Sequence, residues 1–135
     1  ARKSGQVVAV SSLTGKFSTP YRSGYAAAKH ALHGFFDALR AEHFEDGLIV
    51  SLICPGFVHT QISVNALTGT GEPLQKMDRA QAEGMPAEVL ARKAVKALEA
   101  GRAETLIGGK ERYGVLISRF FPALFRKIIR KAKVR

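Results

Sequence analysis

Two largely apolar runs, QVVAV ending in Ser11 and Ser12 and LIVSLICPG beginning at Leu48, constrain this chain more than any other feature. Neither alternates apolar with polar positions, so each reads as a strand covered on both faces. Between them, from Tyr25 to about His43, the pattern is helical, with Ala28, Leu32, Phe35 and Leu39 at i, i+4, i+7 and i+11 and Phe36 widening the stripe. Ala26, Ala27, Ala31 and Ala38 place small side chains on the other faces, so this helix is expected to be covered on more than one side. Asp46 and Gly47 end it. Pro86, Glu88, Ala91, Ala94, Val95 and Leu98 mark a further helix closed by Gly101, and Glu104 to Gly108 reads as a third strand. Strand, helix, strand, helix, strand is the order of a parallel sheet with right-handed crossovers, as in half of a doubly wound α/β domain.

Open sheets of this kind bind ligands beyond the carboxyl ends of their strands. Thr14 to Gly24, rich in Gly, Ser and Pro, should be a loop at such an end, with Ser23 a cap for the helix that follows. Across this junction Ser12 precedes Tyr25 by thirteen residues, and Tyr25 precedes Lys29 by four. Residues four apart on a helix share a face, so the Lys29 ammonium can approach the Tyr25 phenol. A nearby cation favours an ionised phenol, which suits general acid/base work, and a serine hydroxyl can hold a carbonyl or alcohol oxygen beside it. That is a site for carbonyl reduction or alcohol oxidation, with the hydride coming from a cofactor because no side chain supplies one. A Tyr-x3-Lys with a serine thirteen residues earlier is expected about 0.01 times by residue frequency alone. The plainer reading takes Tyr25 as a helix-start aromatic, Lys29 as a solvated charge and Ser12 as a strand-end cap.

The Ser-x12-Tyr-x3-Lys pattern, set between QVVAVSS and an alanine-rich helix, resembles the short-chain dehydrogenase/reductase family. SSLTGKFSTPYRSGYAAAKHALHGFFDALRAE is similar to the branch that holds the hydroxysteroid dehydrogenases and the member-7-like dehydrogenase/reductases. The resemblance implies an α/β fold of the Rossmann type, a doubly wound parallel sheet of which this chain holds the C-terminal half, three strands with their flanking helices. It implies that Ser12 orients the substrate oxygen, that Tyr25 is the general acid/base, and that Lys29 favours the ionised phenol and binds the nicotinamide ribose. Pro55-Gly56-Phe57-Val58-His59-Thr60 matches the family's Pro-Gly-x-Val-x-Thr loop, so Pro55, Gly56, Val58 and Thr60 are expected to hold the nicotinamide carboxamide. Without the upstream motif the same residues would read as an ordinary turn. The implied cofactor is NADP or NAD, the substrate a secondary alcohol or ketone, lipophilic in one reading, and the assembly a homo-oligomer; the alanines fit either a partner subunit or core packing. The family's Gly-x3-Gly-x-Gly turn does not occur, nor does the residue that would select NAD or NADP, nor the family's Asn before the serine-bearing strand. The chain is therefore expected to be a C-terminal fragment; the alternative is a non-catalytic Rossmann-like binding or scaffold protein.

Residues 1–112 form the expected catalytic half, with 57–85 as a long substrate loop and 113–135 as a basic amphipathic helix. In the loop, Gly69, Gly71, Pro73 and Gly84 interrupt any periodic run, and His59 is either a substrate neighbour or a solvated side chain. The formal net charge is +10, but seven basic residues and no acid lie between Arg119 and Arg135, which leaves +3 for the rest. That concentration argues against a nucleic-acid-binding body. Leu116, Ile117, Phe120, Phe121, Leu124, Phe125, Ile128 and Ile129 recur at helical spacing beside those charges, and Pro122 should kink or restart the helix. Two readings stand, an element for an anionic membrane surface and a helix docked on its own domain or on a partner subunit with a solvated basic face. The single cysteine, Cys54, lies in an apolar run and suggests a buried, inert thiol. No metal site is expected. No apolar run reaches the ~20 residues of a membrane span, and the expectation is a cytoplasmic protein, peripheral at a membrane if the tail binds one.

Overall fold

The computed structural model describes residues 4–132; Lys133 and Arg135, two of the basic residues counted above, lie outside the described residues. Strand β1, Gly5–Val10, is followed by helix α1, Ser23–Glu42, and strand β2, Leu48–Pro55. Short strand β3, Val58–His59, helical turn α2, Arg79–Ala82, and short strand β4, Met85–Pro86, precede helix α3, Ala87–Glu99, and strand β5, Glu104–Ile107. Helices α4, Tyr113–Phe120, and α5, Pro122–Ile129, close the chain.

The main sheet has the order β1-β2-β5 and is parallel throughout, with Gly5 opposite Leu48, Val10 opposite Ile53 and Pro55 opposite Ile107. β2 lies in the middle and is buried almost from end to end, as its largely apolar run requires, and its one polar side chain, Ser51, accepts from Gln6 Nε2 at 3.2 Å. Its alternate residues face two separate cores. Leu52 and Cys54, both fully buried, join Ala9 and Leu13 on one face, where Phe17, Phe36, Leu106 and Val115 pack against them. Ile53 joins Ile107 and Ala97 on the other, under Leu90, Ala94 and Leu98 of α3. Helices thus cover both faces, the doubly wound arrangement. Gly47 reverses the chain into β2 with φ 68°, a left-handed conformation open to glycine at no steric cost. Arg40 closes the amino edge of the sheet by donating to Val50 O at 3.1 Å and to Ala103 O at 3.1 Å.

Three expectations need correction. Ser23 is the first residue of α1 rather than its cap; Arg22 occupies that position and no side chain caps the helix. The packed stripe of α1 is rotated from the expected one: Ala26, His33, Phe36 and Leu39 turn inward, while Ala28 and Phe35 are exposed, Phe35 by 63%. Among the described residues that second face is exposed. The 57–85 loop carries a second, short parallel ladder, Val58 with Met85 and His59 with Pro86, beside the expected three-stranded sheet. In the tail the helix restarts at Pro122, one of the two outcomes expected there: Phe121 leaves helical geometry at φ −131° and ψ 60°, and Pro122 begins a new helix at its first turn.

Candidate active site

The strands of the main sheet end on one rim. Ser11 N donates to Ile53 O at 2.8 Å and Gly56 N donates to Ile107 O at 2.8 Å, so the turns after β1, β2 and β5 lie side by side. Ser12, in extended backbone, begins a 3-10 turn over Leu13–Gly15; its hydroxyl accepts from Thr14 N at 3.1 Å and donates to Pro55 O at 3.4 Å. It thereby links the first turn to the Pro55-Gly56 turn. The bond to Pro55 is long, and a better-placed oxygen could take the same proton at small cost. Ser11 points the other way and ties the strand to α1, donating to Lys29 O at 3.3 Å. Gly15 completes this junction: a Cβ there would lie 2.8 Å from Lys29 O and 2.7 Å from Ser11 Oγ, so the 3-10 turn approaches α1 as closely as only glycine permits.

Close packing at this point fixes Lys29. Its Nζ donates to Val10 O at 2.9 Å, at the end of β1, and stands 5.6 Å from the centre of the Tyr25 ring one turn earlier. Tyr25 is 37% exposed, and its hydroxyl makes no hydrogen bond among the described residues. No hydrogen bond joins Ser12 to Tyr25 among the described residues. The structure brings Tyr25 and Lys29 together, and Ser12 and Pro55 together, with Val10 to Ser12 as the strand end common to both pairs.

Beyond Gly56 the rim is held by a residue that spacing did not single out. Glu111, in the turn Lys110–Arg112 before α4, accepts from Gly109 N at 2.9 Å and from Phe57 N at 3.4 Å. Gly56, Gly108 and Gly109 surround this carboxylate so closely that a Cβ on any of them would strike it. Val58 is buried, and its carbonyl accepts from Gln81 Nε2 at 2.6 Å, while Thr60 Oγ1 accepts from Ile62 N at 3.5 Å. His59 is exposed. Arg22 and Asp78 pin the 57–86 segment beside the start of α1 through an ion pair of 2.5 Å, with the Asp78 side chain 8% exposed and the guanidinium 6.0 Å from the Phe57 ring.

Behind the rim lies a polar cluster. His33 Nε2 is 3.0 Å from Ser11 Oγ and 3.7 Å from Cys54 Sγ, and His33 Nδ1 is 3.5 Å from Glu104, which pairs with Lys16. Burial, and after it the Lys16 ammonium, holds His33 below the ordinary histidine value. Burial, with Glu104 adding to it, pushes the Cys54 thiol up to about 12. One ligand atom each of His33, Cys54 and Glu104 lies within 4.8 Å of the others. With the thiol held neutral and the carboxylate engaged by Lys16, these groups are arranged as packed polar core.

The family model described as short chain dehydrogenase matches residues 1–70, which include the strand end, Ser12, Tyr25, Lys29 and the Pro55-Gly56 turn. The chain belongs to the short-chain dehydrogenase family. It is 45% identical over 107 residues to dehydrogenase/reductase SDR family protein 7-like of Anopheles gambiae, covering 79% of this chain and 34% of that protein. It is 41% identical over 123 residues to dehydrogenase/reductase SDR family member 7B of Mus musculus, covering 91% and 35%. The chain thus spans about a third of the length of these curated relatives. Among solved structures, a short chain dehydrogenase from Burkholderia cenocepacia in complex with NADP superposes with a TM-score of 0.73 at 17% identity, over 96% of this chain and 48% of that one. A short chain dehydrogenase/reductase from Burkholderia phymatum in complex with NAD gives 0.72 at 22% identity, over 90% and 49%. These two similarities establish the Rossmann-type fold.

Within this short-chain dehydrogenase rim, sequence reasoning missed Glu111 and the Arg22–Asp78 pair. Glu111 had a signal, being the last acid before a purely basic stretch and standing two residues after paired glycines. Arg22 and Asp78 are 56 residues apart and carry no local pattern that joins them.

Proposed function

We propose that the chain carries the catalytic part of a nicotinamide-dependent oxidoreductase that interconverts a secondary alcohol and a ketone. The observation that supports this best is the position of Lys29, its ammonium bonded to Val10 O at the strand end and 5.6 Å from the Tyr25 ring. An ammonium has three donors and Val10 takes one, which leaves two for ribose hydroxyls. The hydroxyl of Tyr25, a residue 37% exposed, makes no hydrogen bond among the described residues and can meet a substrate oxygen. Bound NADP or NAD, as held by the two Burkholderia relatives, would supply or accept the hydride. In the direction of reduction Tyr25 gives its proton to the carbonyl oxygen; in oxidation its phenolate takes the proton of the alcohol. Ser12 turns its proton from Pro55 O to that same oxygen and holds it against Tyr25. Pro55, Gly56, Val58 and Thr60 border the nicotinamide end, and Lys29 holds the ribose.

The test is Tyr25→Phe in the full-length polypeptide, read by turnover and, separately, by quenching of NADPH or NADH fluorescence. The expected result is a loss of turnover on the order of 10²- to 10⁴-fold with cofactor binding retained. Turnover equal to wild type would remove Tyr25 from the mechanism. The exposed face of α1 with Ala27, Ala28, Ala31, Phe35 and Ala38 supports assembly as a homo-oligomer, which light scattering of the full-length protein checks.

A further inference from the structure

The two C-terminal helices turn one apolar edge inward and leave another bare. Phe125 meets Phe17 edge-on at 5.2 Å, Gly114 abuts the same ring, and Val115 reaches the core beside Leu52 and Cys54. These contacts fix the orientation of both helices on the domain. On the outer side Tyr113, Leu116 and Phe120 of α4 recur at i, i+3 and i+7, and Phe121, Leu124 and Ile128 repeat the same interval through α5. Each of the six is between 47% and 69% exposed, with Phe120 and Phe121 the most exposed, at the break between the helices. Arg112, Arg119, Arg126, Lys127, Arg130 and Lys131 are all exposed as well, and from Arg112 onward the sequence contains no acid.

We propose that this face, apolar through Leu116, Phe120, Phe121, Leu124 and Ile128 and basic through the adjoining arginines and lysines, docks on an anionic lipid surface. Long basic side chains can lay their stems along the bare apolar edge while their charges reach lipid phosphates. Two aromatic rings at the break supply the part that enters the headgroup boundary. A nucleic acid would satisfy the charges and leave six large apolar side chains in water. A protein partner would need a uniformly acidic surface around an apolar groove, whereas an anionic bilayer offers both properties at once. Neither helix is long enough to span, and no described helix is long and apolar enough to cross a membrane, so the contact is in the plane of the surface.

The experiment uses the full-length polypeptide and sedimentation with vesicles of phosphatidylcholine alone or with about one-third phosphatidylserine. Three proteins are compared: wild type, the double variant Phe120→Ser/Phe121→Ser, and the fourfold variant Arg126→Gln/Lys127→Gln/Arg130→Gln/Lys131→Gln. All six positions are exposed, so the fold should be retained, which circular dichroism checks. The expected result is that wild type prefers the anionic vesicles, that the fourfold variant loses at least about tenfold of that affinity, and that the aromatic variant loses on the order of tenfold. If all three proteins bind alike, or none binds, the proposal is overturned. If light scattering shows a dimer that the aromatic variant dissolves and no vesicle binding, the occupant is a second copy and the lipid proposal falls.

Discussion

Gly56→Ala is expected to act almost wholly through Glu111. A Cβ at residue 56 would stand 3.0 Å from Glu111 Cδ and 3.1 Å from its Cγ, and nearer still to Oε1, so the carboxylate must leave. The backbone itself does not resist, because Gly56 has no positive φ. What is lost is the pair of bonds from Gly109 N at 2.9 Å and Phe57 N at 3.4 Å. Hydrogen bonds to a charged group are worth ~1.5–3 kcal/mol each when well formed. One of these is long and the side chain is half exposed, so the two together come to about 2 kcal/mol. Glu111→Ala should cost about the same, by removing the same bonds. In the double variant there is nothing left to displace, and the total should stay near 2 kcal/mol rather than double, a coupling of about 2 kcal/mol. Urea unfolding of the four full-length proteins at neutral pH measures this cycle. Additivity within about 0.5 kcal/mol would refute the reasoning, since it would mean that Glu111 does not hold the Pro55-Gly56 turn.

His33 is kept neutral in the fold, its value depressed by burial first and by Lys16 second, whereas in the unfolded chain it takes up a proton below about pH 6.5. Its contribution to stability is therefore complete above about pH 6.5 and is lost as pH falls from there through the folded-state value. Unfolding free energies measured between about pH 5.5 and 7.5 should fall more steeply for wild type than for His33→Gln; parallel profiles would show that His33 is not the titrating group. Arg22→Ala strands the buried Asp78 carboxylate and should raise hydrogen exchange across 60–82 while leaving β2 protected, with a stability loss of about 2 kcal/mol. Unchanged exchange in that segment would mean that its order comes from elsewhere.

The sheet could be read from the sequence because its signal is local and strong. β2 is an apolar run broken only by Ser51 with a proline at its end, and no other element type accommodates that run between two helical patterns so well. The Ser12, Tyr25 and Lys29 spacing was legible for the same reason, since a strand end and the first turns of a helix fix where those side chains start. The inward face of α1 was misread because Ala28 and Phe35 are apolar, while the residues that turn inward include His33, whose Nε2 meets the Ser11 hydroxyl. Hydrophobic spacing cannot register a packed polar side chain. The β3–β4 ladder was invisible because two residues per strand carry no period, and its register depends on Phe57 O accepting from Met85 N, 28 residues away. Glu111 was missed because its partners are main-chain groups, which every sequence possesses.

The parallel register has a kinetic consequence. Gly5 must find Leu48 and Leu52 must find Glu104, so neither pairing in the main sheet can form until a segment of some forty to fifty residues has closed on itself. Helix α1 can appear in about a microsecond, but the strands it connects lie far apart in sequence and must wait. During that interval Val8 and Val10, exposed among the described residues, lie on a strand paired there on one side only. An unpaired strand edge of this kind is a template for other chains, and refolding yield should therefore decline with protein concentration before it declines with temperature.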